Sequence, residues 1–363
     1  MIDRRLLVNF DWLLLLASIA LCSIGVLLIY SATSGPYAEV KQGLYIKQIY
    51  WIFIGLVVML IVISIDYHHL ARWSPVFYFF NLLTLGYVLQ IKGSSVRRWI
   101  RFFGMNLQPS EFTKLCLILI LAQLLKEKKS KDISIKSFIL SFILTLVPTF
   151  MILKQPDLGT AILLIPILLA LLYISGVRTS WLLGVIGLGM GLGPPFLWLG
   201  LKAYQKNRIL SFINPNLDPL GAGYQVTQSK IAVGSGGLWG QGFLCGTQCR
   251  LKFIPQHHTD FIFSLLAEEW GLIGSLLTIG IFLFLLLKGL DICSNAKDRL
   301  GTIISYSIVI TLALHIIINI GMVIGIMPVT GIPLPFISYG GSAMMGNLIA
   351  IGLLQNIKMR RFD

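Results

Sequence analysis

Leu13-Leu-Leu-Leu-Ala-Ser-Ile-Ala-Leu-Cys-Ser-Ile-Gly-Val-Leu-Leu-Ile-Tyr30 carries no charged side chain, and its reading decides the fold. As a helix it is roughly 27 Å long at 1.5 Å per residue, close to the hydrocarbon thickness of a bilayer. It follows Arg4-Arg5 as a secretory signal would, but it is longer than a typical cleaved apolar core and more runs like it follow. It reads as a retained membrane helix.

Working outward, nine further apolar runs span Ile49 to Ile65, Phe77 to Leu89, Leu115 to Leu125, Phe138 to Leu153, Ala161 to Ile174, Trp181 to Leu201, Phe261 to Leu287, Ile303 to Ile326 and Phe336 to Leu354. With 56% apolar and 12% charged residues and a mean hydropathy of +0.83, the 363-residue chain cannot cover itself with a polar surface. The expected fold is all-α: a polytopic integral membrane protein of about ten transmembrane helices, one domain over 1-363, with a long extracytoplasmic loop of about 202-259 between spans seven and eight. This rules out a nucleotide-binding module, a nucleic-acid binder and a disulfide scaffold. The fourth run is short and is expected to begin near Ser110. Pro194-Pro195 predicts a kink or break in the seventh. The five cysteines are scattered and read mainly as small apolar side chains; Cys245 and Cys249 share the long loop, at a spacing that fits no strong motif.

Ten spans put both termini on one side, together with the basic clusters Arg4-Arg5, Lys126 to Lys131 and Lys358 to Arg361, which makes that side cytoplasmic. The net charge of +14 then divides unexpectedly. Of 29 Lys and Arg residues, fifteen fall on the cytoplasmic side and fourteen outside, among them Arg97, Arg98, Arg101, Lys114 and Arg208. Lys41, Lys47 and Lys92 suit lipid headgroups. The rest suit an anionic substrate, and planar guanidinium groups match phosphate in particular.

The outer side holds five carboxylates, Glu39, Glu111, Asp157, Asp218 and Asp260, and three of these start a helix. Each of Glu111, Asp157 and Asp260 could be a plain helix cap. Together, beside an excess of cations, they read as a polar site, because ionisable groups at membrane depth are expensive and usually functional. Glu111 and Lys114 stand three apart, a spacing that permits an ion pair. His257-His258 matches no metal signature. His315 and Asn319, one turn apart in the ninth run, read as partners in a buried helix-helix hydrogen bond. Glu268 and Glu269 fall inside the eighth run; one of the two is expected to face a polar interior.

Seven stretches, in order along essentially the whole chain, resemble the SEDS family of bacterial cell-wall proteins. They are Gln108-Pro-Ser-Glu-Phe-Thr-Lys114, Gln155-Pro-Asp-Leu-Gly-Thr160, Gly221-Ala-Gly-Tyr-Gln225, Gln228-Ser-Lys-Ile-Ala-Val-Gly-Ser-Gly-Gly237, Gly246-Thr-Gln248, His258-Thr-Asp-Phe-Ile-Phe263 and Pro328-Val-Thr-Gly-Ile-Pro-Leu-Pro-Phe-Ile-Ser-Tyr-Gly-Gly341. Gly246-Thr-Gln248 and Leu266-Ala-Glu-Glu269 look more like the RodA-like elongation branch than the division branch. The resemblance implies a peptidoglycan glycosyltransferase of the bacterial cytoplasmic (inner) membrane that polymerises lipid II. It also implies a class B penicillin-binding transpeptidase and other elongation-complex membrane proteins as partners. By resemblance Asp260 is the essential acid, and Glu111, Lys114, Asp157 and Arg208 are polar cavity positions. Two departures stand out: Pro255-Gln256 where the family usually has Pro-Glu, and Ser95-Val-Arg-Arg98 where a Gly-Ala-x-Arg pattern is common.

The chemistry expected is a single inverting displacement, with Asp260 as base for the acceptor hydroxyl and cations such as Arg98 and Arg101 on the pyrophosphate. A divalent cation, Mg or Mn, is a possible bridge between phosphates. Two other classes compete: a transporter that flips the lipid-linked precursor, and a non-catalytic scaffold for the transpeptidase.

Overall fold

The computed structural model describes residues 9–34, 43–91, 98–102, 105–126, 134–200, 203–214, 221–247 and 258–361. Its helices are α1 (Trp12–Thr33), α2 (Leu44–Ser64), α3 (Tyr67–Arg72), α4 (Ser74–Gln90), α5 (Pro109–Leu125), α6 (Ile135–Lys154), α7 (Leu158–Ile174), α8 (Thr179–Gly200), α9 (Ala203–Ile213), α10 (Ala222–Ser235), α11 (Ile262–Ser294), α12 (Arg299–Val323) and α13 (Gly341–Met359). A small antiparallel hairpin, β1 (Ile100–Phe102) and β2 (Met105–Leu107), precedes α5 and pairs Ile100 with Leu107.

All ten apolar runs are helical over most of their length. α1, α2, α6, α11 and α12 are long and apolar enough to cross a membrane, and α7 and the first part of α8 are shorter apolar helices. Their outward faces are as apolar as their inward ones: α2 exposes Ile46, Ile49, Tyr50, Phe53, Val57, Leu60 and Ile61 while burying Trp51, Met59 and Ile63. A water-soluble helix would put charges on that face, so these outer surfaces belong in lipid. The protein is a multi-pass membrane protein.

At the centre of the bundle α12 packs against α5, α7 and α11, while α13 lies along α2, and α11 lies along α1. Both chain ends gather at one face. There Asp11 caps α1 through the Leu14 N–H and meets the Lys358 ammonium. Gln355 closes the joint by accepting from the Asp11 N–H and donating to its carbonyl. At the same face Asn356 donates to the carbonyls of Val62 in the last turn of α2 and of Ile65 just beyond it, and His68 lies 2.9 Å from both Asp66 and Asp298.

Four features differ from the sequence reading. The long loop holds two helices, α9 and α10, because Val226, Ser229 and Ala232 recur at helical spacing and bury one face against α11 and α12. α8 runs through Pro194 and Pro195 to Gly200 without a break. The hairpin before α5 has no counterpart in the sequence analysis. Finally, α11 breaks where no proline stands, at Gly271, whose φ of 67° is left-handed.

That break is stitched by the turn after α10. Gln241 and Gly242 donate to the Glu268 and Glu269 carbonyls at 2.9 and 3.0 Å, and the Leu272 and Ile273 N–H groups donate to the Gly237 and Leu238 carbonyls. A Cβ on Gly271 would overlap the Gly240 nitrogen and the Leu238 carbonyl oxygen. The half-helix before the break, Ile262 to Glu269, is buried all round, whereas Leu272, Ile273, Leu276 and Leu277 beyond it are exposed. Lipid therefore meets α11 from Leu272 onward, while Glu268 and Glu269 are enclosed by protein, with Glu269 on Ser31 near the end of α1. The Cys245 thiol is free and exposed; Cys249, Gln256 and His257 lie outside the described residues.

Candidate active site

The site forms at the bundle face opposite the chain ends, where three helix starts and two loops converge. Asp157 is the N-cap of α7: one carboxylate oxygen accepts from the Thr160 N–H, and the other accepts from the Thr160 hydroxyl and from Gln108 Nε2, both at 3.1 Å. The cap reading of this acid is correct and incomplete, since the same carboxylate lies 3.9 Å from the Arg98 guanidinium. Arg98 is itself held by the carbonyls of Gln155 and Pro156 in the turn between α6 and α7. Gln108, which joins β2 to α5, also bonds the Ser110 hydroxyl, and its N–H donates to Ser342 at the start of α13.

Asp260 sits in the turn that leads into α11, partly exposed, beyond the membrane-crossing part of that helix. Its Oδ2 lies over Gly331, whose φ of 75° and lack of a side chain let the loop pass close. Burial among protein atoms pushes the Asp260 carboxyl up to about 6. The Arg208 charge on α9 pulls it back down, the Asp157 carboxylate adds to the rise, and the Thr259 hydroxyl and Arg98 lower it again. These influences place Asp260, Asp157, Arg98 and Arg208 in one electrostatic neighbourhood. A carboxyl with a pKa near neutrality and open to solvent on one side is suited to take up and release a proton.

A second polar group lies deeper between α5, α12 and α13. Lys114 Nζ donates to Glu111 Oε2 at 2.8 Å and lies 2.9 Å from His315 Nε2. The His315 Nδ1 faces the Thr311 carbonyl at 2.7 Å, so Nδ1 carries the hydrogen and Nε2 accepts from the ammonium. All three side chains are buried and line a small cavity with Gly346 and Asn347. The ion pair permitted by the spacing of Glu111 and Lys114 is formed.

Of the candidate residues, the structure brings Asp260, Asp157, Arg98 and Arg208 together and pairs Glu111 with Lys114 in the separate group between α5, α12 and α13. Arg101 lies on β1, and its side chain is outside the described part. Among the described residues no three His, Cys, Asp or Glu side chains gather as metal ligands. Sequence reasoning missed Gln108, Ser338 and Gly331 as parts of the site and undervalued His315 and Asn319. Their i,i+4 spacing inside an apolar helix was the available signal.

A family model for cell cycle proteins, FtsW/RodA/SpoVE, matches residues 11–362. The peptidoglycan glycosyltransferase MrdB of Escherichia coli is 37% identical over 98% of this chain and 95% of its own length. The probable peptidoglycan glycosyltransferase FtsW of Trichlorobacter lovleyi is 38% identical over 97% and 93%, and the peptidoglycan glycosyltransferase RodA of Treponema pallidum is 34% identical over 97% and 98%. Among solved structures, a chain of a peptidoglycan synthase complex that coordinates polymerization and crosslinking superposes with a TM-score of 0.81 at 27% identity, covering 98% of this chain and 99% of that one. The crystal structure of Thermus thermophilus RodA superposes with a TM-score of 0.72 at 25% identity, covering 98% of each chain. Matched from end to end by the family model and by relatives above 30% identity, the chain belongs to the FtsW/RodA/SpoVE family.

Proposed function

We propose that the protein is a peptidoglycan glycosyltransferase that polymerises lipid II, with the site on the outer face of the cytoplasmic membrane and both termini inside. The observation that carries this reading is the Asp260 carboxyl, raised to about 6 and set among Asp157, Arg98 and Arg208. The names of relatives 34–38% identical over nearly the whole chain support it.

In the proposed reaction Asp260 accepts the proton of the acceptor sugar's 4-hydroxyl as that oxygen bonds to the donor's anomeric carbon. The bond from that carbon to the lipid pyrophosphate breaks, and the electron pair leaves with the phosphate. Displacement from the far face inverts the centre and needs no protein nucleophile. Arg98 and Arg208, with Arg101 as a further candidate, would balance the charge that grows on the pyrophosphate. Glu111 and Lys114 neutralise one another, so they supply a polar wall more than a net charge.

The proposed role in elongation rests on Gly246-Thr-Gln248 and Leu266-Ala-Glu-Glu269, since relatives named FtsW and MrdB are about equally similar. A class B penicillin-binding transpeptidase is the proposed partner, in keeping with the synthase complex that the fold matches. Against a transporter stands the placement of the charges: below Lys114 the buried residues of α5 are Leu117, Ile118, Leu119, Leu121, Ala122 and Leu125, none of them charged. Proteoliposomes holding lipid II only in the outer leaflet, together with the cognate transpeptidase, test the proposal. Glycan polymer is the expected product; movement of lipid II between leaflets with no polymer would overturn it.

A further inference from the structure

The tripeptide that carries Asp260 is held in an unusual way. Its three consecutive carbonyls each accept a hydrogen bond from a different donor: His258 from the Tyr339 N–H at 3.0 Å, Thr259 from the Ser338 hydroxyl at 2.7 Å, and Asp260 from Asn319 Nδ2 at 2.9 Å. Two of the donors come from the loop between α12 and α13. The third stands on α12, the most central helix of the bundle.

Asn319 does more than donate once. The same Nδ2 also donates to the Ile332 carbonyl at 2.8 Å, next to Gly331, over which the Asp260 carboxylate lies. The amide therefore ties the turn bearing the acid and the loop beneath it to one rigid point. It is fully buried, and its Oδ1 has no partner among the described residues. An orphaned buried acceptor is destabilising, so this side chain is placed for its two donors. Ser338 is similarly committed: its hydroxyl accepts from the Leu334 N–H at 2.8 Å while donating to Thr259. Neither residue touches the carboxylate.

We propose that Asn319, seconded by Ser338, is the positioning residue of the site: through the backbone of residues 258–260 and 332 it fixes where the Asp260 carboxylate stands relative to bound substrate. The inference rests on the reading of Asp260 as the base. A base misplaced by about 1 Å loses roughly 100-fold in rate, while binding made elsewhere in the groove is kept.

The test is steady-state lipid II polymerisation by the full chain with its transpeptidase, comparing wild type, Asp260→Asn, Asn319→Asp, Asn319→Ala and Ser338→Ala, with a thermal melt of each. Asn319→Asp preserves shape but turns two donors into acceptors facing carbonyls. At pH 8 the expected result is a kcat about 10- to 100-fold lower for both Asn319 variants and about 3- to 10-fold lower for Ser338→Ala, with KM within about threefold of wild type. A folded Asn319→Asp or Asn319→Ala protein with kcat within twofold of wild type overturns the inference. So does a loss in which kcat, KM and melting temperature worsen together, since that marks a structural role alone. If neither Asn319 variant folds, Ser338→Ala decides, and an unchanged kcat there overturns it. An active Asp260→Asn protein would instead refute the base assignment, which separates failure of the premise from failure of the inference.

Discussion

Replacing Asp260 by Asn should make the protein more stable at alkaline pH, in a way that vanishes in acid. The Asp260 carboxyl is raised from 3.8 to about 6 in the folded protein. A carboxyl with a raised folded pKa binds its proton more tightly folded than unfolded, so folding is penalised once the unfolded chain ionises, above about pH 4. The penalty grows with pH and is complete above about pH 6. Two units correspond to about 3 kcal/mol at 1.36 kcal/mol per unit, and partial exposure reduces this to about 1–3 kcal/mol. An amide has no charge to desolvate. Asp260→Asn should therefore raise the melting temperature by a few degrees at pH 8 and leave it unchanged at pH 4. Thermal unfolding of the purified protein in one detergent at the two pH values measures this. An equal shift at both, or a lower melting temperature at pH 8, would refute the claim that burial raises this carboxyl.

Two further substitutions probe the framework around the site. Gly271→Ala forces a side chain into left-handed backbone and against the turn at Leu238 to Gly240; a loss of at least about 2 kcal/mol is expected, read as earlier thermal unfolding and faster proteolysis after α10. A wild-type melt would show that the helix break is not clamped by this turn. At His315, Gln can still accept from Lys114 whereas Leu cannot. His315→Leu should destabilise by about 1–3 kcal/mol and His315→Gln by less than about 1 kcal/mol, measured by chemical denaturation. Equal effects would contradict the acceptor role of Nε2.

The membrane fold was readable because a helix surrounded by lipid must be apolar on every face, and runs such as Leu13 to Tyr30 announce this in composition alone. The pairing of Glu111 with Lys114 was readable because spacing along one helix is local information. What was hidden depends on contacts between distant segments. Glu268 and Glu269 stand in a stretch that composition alone reads as lipid-facing; only the docking of Gly237 to Gly242 onto α11 around Gly271 shows that protein encloses them. Gly271 itself looks like any helical glycine. His315 and Asn319 were visible as polar residues in an apolar helix, but not that one meets Lys114 and the other the carbonyls of Asp260 and Ile332, more than ten residues away in each case. The helices of the long loop went unread because Ala222 to Ser235 is half glycine and polar residues, and its helical signal lies in three small buried side chains on one face.

The excess of basic residues divides in the same way. Lys358 is spent on Asp11 at the face with the chain ends, whereas Arg98 and Arg208 surround the two acids at the other. The second group is not explained by orientation in a membrane, and it marks the site independently of any motif.

The rate of lipid II polymerisation by wild type and Asp260→Asn between pH 5 and pH 8, with the transpeptidase present, tests Asp260 as the base most directly. The wild-type rate should rise with pH and level off above an apparent pKa of about 6, and the Asn protein should be at least about 100-fold slower and flat across the range. Glycan chains formed by the Asn protein at near wild-type rate, or a wild-type rate that does not fall toward pH 5, would contradict the assignment of Asp260 as the base.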